Sequence, residues 1–423
     1  MPSFYRRVWR WHFWAGLLAC PVLVVVAVTG ALYTFKDEIE DWQLADLRFA
    51  DSTAERKPLA ELLAAVTAAH PTWTPTQALI PGDPDRSTAV QVITGSGNRL
   101  VYVNPYTAEV LGDIERSPFF TAVLRIHRSL FAGTTGRILV ELATCWMVVL
   151  VVSGLYLWIP RTWRTVWGVW LPRLRGKPYV VLRDLHTVGG LYLAPVLVLL
   201  AVTGLFFTVV WVWSLNAVTN GAGEFPRHFL TAPPEAGGRV ASAALDAAER
   251  RARSEYPTNP LVVMLPAKPG EAIVTRVRGL SGPSYVASVG VDRTAGVETS
   301  RKVYDDLSWH EKVRLWVLPV HMGSVFGWPT KVLAAVACLA LAWLSVSGVW
   351  MWLARRPVGR AGFPHASTAT APKVAVALIL LLGVVFPVVG GSILLVLVGE
   401  YLVGRFVRKT VPVVNPEPQP VTS

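Results

Sequence analysis

The chain states one pattern twice, histidines included. Residues 10–30 read RWHFWAGLLACPVLVVVAVTG and residues 184–204 read DLHTVGGLYLAPVLVLLAVTG. A shift of 174 residues (12 to 186) lays His12 on His186, Gly16 on Gly190, Pro21 on Pro195 and Thr29-Gly30 on Thr203-Gly204. A second pair, RIHRSLFAGTTGRILVELATCWMVVLVVSGLYLW from Arg125 and HMGSVFGWPTKVLAAVACLALAWLSVSGVWMW from His321, superposes at a shift of 194 (127 to 321). There His127 falls on His321, Gly133 on Gly327, Arg137 on Lys331, Ser153-Gly154 on Ser347-Gly348 and Trp158 on Trp352. A duplicated unit of this kind folds about a pseudo-two-fold axis that brings equivalent side chains face to face.

The repeated segments are apolar. With 52% hydrophobic and 16% charged residues, the chain falls outside the range of ordinary soluble proteins. Apolar runs at 11–35, 138–159, 185–213, 332–353 and 374–403 are each long enough for a hydrocarbon layer, which takes about 20 helical residues. Helices and closed barrels alone satisfy the backbone there, and these lengths are helical. The net charge of +12 gathers beside these runs, not on one soluble face, which argues for membrane topology and against nucleic acid. Arg6, Arg7 and Arg10 precede the first run; Arg161, Arg164, Arg173, Arg175, Lys177 and Arg183 fill the loop after the second; Arg355, Arg356, Arg360 and Lys373 follow the fourth. The positive-inside rule therefore places the N-terminus and both short loops in the cytoplasm and the long segments outside. The N-terminal run is read as a retained span because it recurs in mid-chain as the third.

Two repeats emerge. Repeat one, 1–175, comprises a span at 11–36, an outer module at 44–118 and a span at 127–159; repeat two, 176–357, comprises a span at 185–213, an outer module at 224–310 and a span at 321–353. Each outer module reads as a small α+β unit: helical patterns at 58–70 and 240–256, short strands at 89–94, 99–103 and 109–111 in the first, and at 261–265, 272–278 and 285–291 in the second. Neither carries a phosphate loop, a metal-spaced Cys/His cluster or a nucleophile elbow. The last run, 371–404, has Pro387 and Gly390-Gly391 near its middle and reads as either one kinked span or a hairpin. The Pro-rich stretch 411–423 reads as disordered. Cys20, Cys145 and Cys338 lie inside spans and read as small packing residues; there is no CxxCH attachment sequence.

The four repeated histidines fall into two groups, His12 with His186 on the inner side and His127 with His321 on the outer side. A span of 20 to 25 residues is about 30 to 37 Å long, so the pairs serve separate sites. Neutral imidazole is tolerated in a membrane, and two imidazoles from symmetric helices suit the two axial positions of a haem iron. Gly16 and Gly190, one turn beyond His12 and His186, leave a bare patch for a flat ring. Zinc is a poorer fit, since it takes four N/S ligands and no cysteine or cluster of acids accompanies these histidines. Taken singly, any one of them is more commonly a hydrogen-bonded interface residue. About ten residues, Arg137 or Lys331 among them, separate His127 and His321 from the strongly apolar runs, which suggests interfacial segments folding back over the bilayer. His70, His228, His310 and His365 read as surface residues, with His310 the one placed to approach a ligand at the outer site. Glu141 and Glu400 fall inside apolar runs and read as either proton-path residues or polar partners, with Arg137 the nearby partner for Glu141.

The order of motifs resembles the PepSY-associated transmembrane family: a DxxTG-like turn, an IHRSLFAGTTGR entry, a span ending GLYLW followed by PR, then DLHTVGGLYLAPVL and TG. The likeness runs from about residue 4 to 403, and more narrowly the chain resembles the di-haem inner-membrane ferric-siderophore reductases of that family. In the first module Asn104 and Ala108 stand where the family turn has Asp and Gly; the second keeps Asp292 and Gly296. The resemblance implies a mainly α membrane fold with PepSY-like outer modules and two b-type haems held by His12, His186, His127 and His321. It also implies reduction of a ferric siderophore or ferric chelate on the periplasmic side of a bacterial inner membrane. No dinucleotide fingerprint is present, so electrons are expected from a separate cytoplasmic donor or a quinol. Two other classes stay open from sequence: a non-enzymatic membrane-anchored module that binds a partner through its outer units, and a transporter.

Overall fold

The computed structural model describes residues 3–52, 55–115, 117–160, 162–219, 240–266, 271–357, 362 and 373–410. A long helix α1 (Ser3–Thr34) leads through two short ones, α2 (Lys36–Gln43) and α3 (Ala45–Arg48), into α4 (Leu59–Ala69) and strands β1 (Thr74–Ile80), β2 (Thr88–Thr94), β3 (Gly97–Val103) and β4 (Val110–Glu115). Helices α5 (Pro118–Ser129) and α6 (Gly133–Trp158) return to the apolar region, and α7 (Pro178–Leu205) and α8 (Val210–Thr219) follow. Then come α9 (Ser242–Glu255), β5 (Leu261–Met264), β6 (Ile273–Arg278), β7 (Tyr285–Val291), β8 (Glu298–Val303), α10 (Trp309–His321), α11 (Trp328–Arg355), α12 (Lys373–Val385) and α13 (Pro387–Thr410).

Helices α1, α6, α7 and α11 are long and apolar enough to cross a membrane. Each of α1 and α7 packs against both α6 and α11, so the four close a ring with α1 and α7 on one diagonal. Small residues line the inside, including Ala15, Ala19 and Ala27 of α1, Ala143 of α6, Ala194 and Ala201 of α7 and Ala337 of α11. That lets the helices approach closely where lipid offers no hydrophobic drive. The outer surface carries exposed apolar side chains such as Leu18, Val152, Leu199 and Leu339, which only a lipid environment accommodates.

Two span boundaries differ from the sequence expectation. The segments 127–159 and 321–353 are each a short helix followed by a long one. α5 ends where Leu130 and Phe131 take left-handed conformations (φ 49° and 58°), and α10 ends at a turn holding Gly323 and Gly327 (φ 66° and 67°). Both breaks fall within the roughly ten residues that set His127 and His321 apart from the strongly apolar runs in the sequence. The 185–213 run is likewise interrupted: α7 ends at Leu205, and α8 starts afresh at Val210. At the C-terminus the chain reverses, with α12 and α13 packed together. Gly383 and Gly390, about 10 Å apart in an unbroken helix, lie so close that a Cβ on Gly390 would sit 2.8 Å from the Gly383 carbonyl. Trp146 of α6 donates to Ser392 of α13 (3.3 Å) and fastens this hairpin to the ring. Residues 411–423, expected to be disordered, lie outside the described residues.

The two outer modules are not separate units. Their strands form one eight-stranded antiparallel sheet in the order β4-β3-β2-β1-β5-β6-β7-β8, joined where β1 pairs with β5 (Gln77↔Met264 to Ile80↔Leu261). α4 and α9 pack on one face over a single core that mixes Leu59, Leu62 and Val66 with Leu245, Ala248 and Ala252. β1, unread in the sequence because of its proline, is a central strand; the register shifts between Pro75 and Gln77, a bulge that accommodates the missing N–H. β8 was also unread, its polar residues being those of an edge strand.

The turns after β3 and β7 match residue for residue at a shift of 188 (104 to 292). Asn104 Oδ1 accepts from the amides of Tyr106 and Thr107, and Asp292 Oδ1 from those of Thr294 and Ala295. Ala108 holds φ 62° where Gly296 holds φ 69°. Alanine is strained in that region, by about 1 kcal/mol. Ala108→Gly is therefore expected to stabilise the sheet by about 1 kcal/mol, read as a higher midpoint of thermal unfolding of the full chain in detergent.

Candidate functional site

The four repeated histidines occupy the two ends of the helical ring, each seated on a hydroxyl–glycine pair of a neighbouring helix. At one end, His12 of α1 lies against Ser153-Gly154 of α6, and His186 of α7 against Ser347-Gly348 of α11. The Nδ1 to Oγ distances are 2.8 Å and 2.9 Å. At the other end, His127 of α5 lies against Thr29-Gly30 of α1, and His321 of α10 against Thr203-Gly204 of α7. Here Nδ1 also meets a backbone carbonyl, Val26 O at 2.9 Å and Leu200 O at 3.1 Å.

These partners determine the tautomer. Thr29 donates its hydroxyl to Val25 O (2.6 Å), Thr203 to Leu199 O (2.7 Å), Ser153 to Leu150 O and Ser347 to Leu344 O (both 3.1 Å). With each hydroxyl proton spent on its own helix, the oxygen that faces the ring is an acceptor, as are the carbonyls. Nδ1 must then be the donor in all four rings, which leaves the lone pair on Nε2. A ring nitrogen oriented by a donated Nδ1–H and a free Nε2 is the arrangement of a metal-ligating histidine. Burial, and then the neighbouring His127, draw the His321 imidazole down to about 4, so it is neutral and able to ligate at physiological pH. Burial lowers His127 in the same sense.

The glycines let the rings come this close. A Cβ at Gly30 would lie 3.1 Å from His127 Cε1, and one at Gly204 3.0 Å from His321 Cε1; at the other end the corresponding distances are 3.3 Å for Gly154 and 3.6 Å for Gly348. At Gly16 and Gly190 the surface is more open: a Cβ there would meet only Leu150 or Leu344, at ordinary contact distance.

Within each end the two rings belong together. His127 and His321 have ring centres 6.2 Å apart with planes at 57°. Two imidazoles whose ring centres stand this far apart leave room for one metal ion between them. His12 and His186 are near enough to interact electrostatically. Between the ends, 18 residues of α1 (12 to 30) and of α7 (186 to 204) set a separation of about 27 Å. Among the described residues no group of three or more His, Cys, Asp or Glu converges. Each pair thus offers two imidazoles, fewer ligands than a zinc site takes, so a metal held there would draw its remaining ligands from elsewhere.

The remaining residues singled out in the sequence lie elsewhere. His310 is at the far end of α10, about 16 Å from His321 along the helix, bonded to Ser308 Oγ (3.2 Å). His70 stacks on Trp73 in the sheet domain. His228 and His365, and the side chain of Glu400, lie outside the described residues. Glu141 does not pair with Arg137. Its carboxylate is fully buried and accepts from the amides of Val209 (3.0 Å), Val210 (2.9 Å) and Trp211 (2.7 Å), capping the start of α8. Arg137 turns instead to Phe207 O (3.2 Å), while its counterpart Lys331 forms an ion pair with Glu38 (2.6 Å). The hydroxyl–glycine pairs were visible in the sequence as repeated motifs, but their partnership with histidines on other helices was not.

A ring of four spanning helices, an antiparallel sheet joined to one end of it and a histidine pair at each end define a multi-pass helical membrane protein with an appended α+β domain. The model of the PepSY-associated TM region matches residues 9–355, and the chain belongs to that family. Comparison with curated proteins gives no match.

Proposed function

We propose that this chain is a di-haem electron carrier built from two copies of one unit, a haem-dependent ferric reductase of the bacterial inner membrane. Its substrate on the periplasmic side is a ferric siderophore or other ferric chelate, and its electrons come from a cytoplasmic donor or quinol. The observation that carries the reading is the outer pair: two neutral imidazoles with Nδ1 committed to helix carbonyls and ring centres 6.2 Å apart. His127 and His321 would hold one b-type haem and His12 and His186 the other. Bound haem would supply one-electron Fe(III)/Fe(II) chemistry.

The chain's own residues set where that chemistry happens. Ser153, Ser347, Thr29 and Thr203 orient the imidazoles, and the adjoining glycines admit them. Arginines beside α1 and in the loops after α6 and α11 support a cytoplasmic position for the His12/His186 end. β4 runs directly into α5 and β8 into α10 through a single 3-10 turn, so the sheet lies on the His127/His321 side, where a bulky chelate would arrive. Glu141, one of the two acids that favoured a transport path, is committed to the cap of α8.

Absorption spectra test the reading. The purified chain is expected to show a Soret band and sharp α-bands on reduction, and proteoliposomes with a reductant inside are expected to reduce an external ferric chelate. A folded chain without these bands would be an anchored binding module instead. The glycine seats add a graded test: Gly204→Ala, with its Cβ 3.0 Å from His321, is expected to lower haem content toward one per chain, whereas Gly348→Ala, at 3.6 Å from His186, is expected to keep both.

A further inference from the structure

Among the described residues, three arginines at the sheet-side edge of the helical ring have no acidic partner. Arg125 and Arg128 are exposed one turn apart on the same face of α5, and neither side chain makes a hydrogen bond or ion pair among the described residues. Arg137 stands across the left-handed turn at the start of α6, near enough to repel Arg128. It gives one amine to the Phe207 carbonyl, and the only acid one helical turn away, Glu141, is occupied by three amides.

This cluster runs against the charge bias of the rest of the chain, which gathers basic residues at the other end of the spans. Nor does the matching surface of the other half repeat it. At a shift of 194 the three positions are Pro319, Met322 and Lys331, and Lys331 is neutralised by Glu38. Around the arginines the surface turns apolar: Phe119 is 53% and Phe131 60% exposed, and Ile138 and Leu139 face outward on the next turn of α6. Phe131 is presented from a backbone conformation that costs a non-glycine residue energy. Cations beside outward-facing aromatic and aliphatic side chains, at the level where a spanning helix begins, match a phosphate with acyl chains below it.

We propose that Arg125, Arg128 and Arg137 form a site for one anionic phospholipid of the sheet-side leaflet, its headgroup phosphate held by the guanidinium groups and its chains lying along Phe131, Ile138 and Leu139. The site needs no haem, so it stands or falls separately from the redox reading.

Native mass spectrometry of the full chain in detergent, titrated with phosphatidylglycerol or phosphatidylcholine, tests it. The unaltered chain is expected to retain one phosphatidylglycerol that R125Q/R128Q loses, with affinity falling about fivefold for each arginine removed, while phosphatidylcholine binding stays equal in both. R125K/R128K, which keeps the charge, is expected to retain the lipid and controls for misfolding. Equal phosphatidylglycerol retention in the unaltered and R125Q/R128Q chains would overturn the proposal. So would full displacement of the lipid by millimolar glycerol phosphate, which would show an oxyanion site with no call for acyl chains.

Discussion

Replacing His321 by alanine is expected to leave one haem per chain in place of two, with reduction of an external ferric chelate abolished and reduction of the remaining haem from the cytoplasmic side intact. The expectation follows from geometry. His321 shares its site only with His127, 6.2 Å away centre to centre, and the other pair lies about 27 Å along α1 and α7. One substitution therefore empties one end and spares the other. The inner counterpart, His186→Ala, is expected to remove the other haem and to block entry of electrons from the cytoplasmic side. Haem content with absorption spectra of the reduced protein reads both results; loss of both haems from either substitution would show that the two ends do not form independent sites.

Glu141→Ala is the substitution with the largest expected effect on stability. Three consecutive amides, those of Val209, Val210 and Trp211, end on this carboxylate. In an apolar setting each orphaned N–H costs on the order of 1–3 kcal/mol, so the loss is expected to exceed about 3 kcal/mol and to disorder the entry to α8. Glu141→Gln keeps one acceptor oxygen and sets an NH2 against amide donors, which places it between alanine and the native residue. Thermal unfolding in detergent is expected to rank the three in that order. A proton-path role predicts the reverse pattern: Glu141→Gln would fold as the native chain does and fail only in transport.

Much of this fold was legible because its signals are local. Apolar runs of spanning length, arginines at their ends and histidines recurring at fixed shifts need only the neighbouring residues to be read. What stayed hidden depends on partners far away in the chain. β1 pairs with β5 across 187 residues (77 to 264), and nothing in the alternation of either strand distinguishes two four-stranded units from one eight-stranded sheet. Pro75 concealed β1 altogether, because a proline in a central strand is acceptable only at the bulge that the fold provides there. The breaks before α6 and α11 lay inside the spans drawn at 127–159 and 321–353, although the sequence already set His127 and His321 about ten residues apart from the strongly apolar runs.

The candidate site divides along the same line. Its four histidines were found from repetition, and the two-end grouping followed from span length. Their orientation was not: His12 rests on Ser153, 141 residues later, and His127 on Thr29, 98 residues earlier. Each repeated Ser-Gly or Thr-Gly pair lies toward the C-terminal end of its helix, under an imidazole carried by a different helix. Glu141 was misread for a similar reason. Its sequence neighbour Arg137 is one turn away, but the carboxylate faces amides that exist only because α7 stops at Leu205.

Haem stoichiometry, measured by pyridine haemochrome on the full chain purified after expression with ample iron and haem precursor, bears most directly on whether paired imidazoles at each end of the ring clasp a porphyrin. The result expected is two b-type haems per chain, falling to one in His321→Ala. Folded, monodisperse protein that carries no haem under those conditions would contradict it.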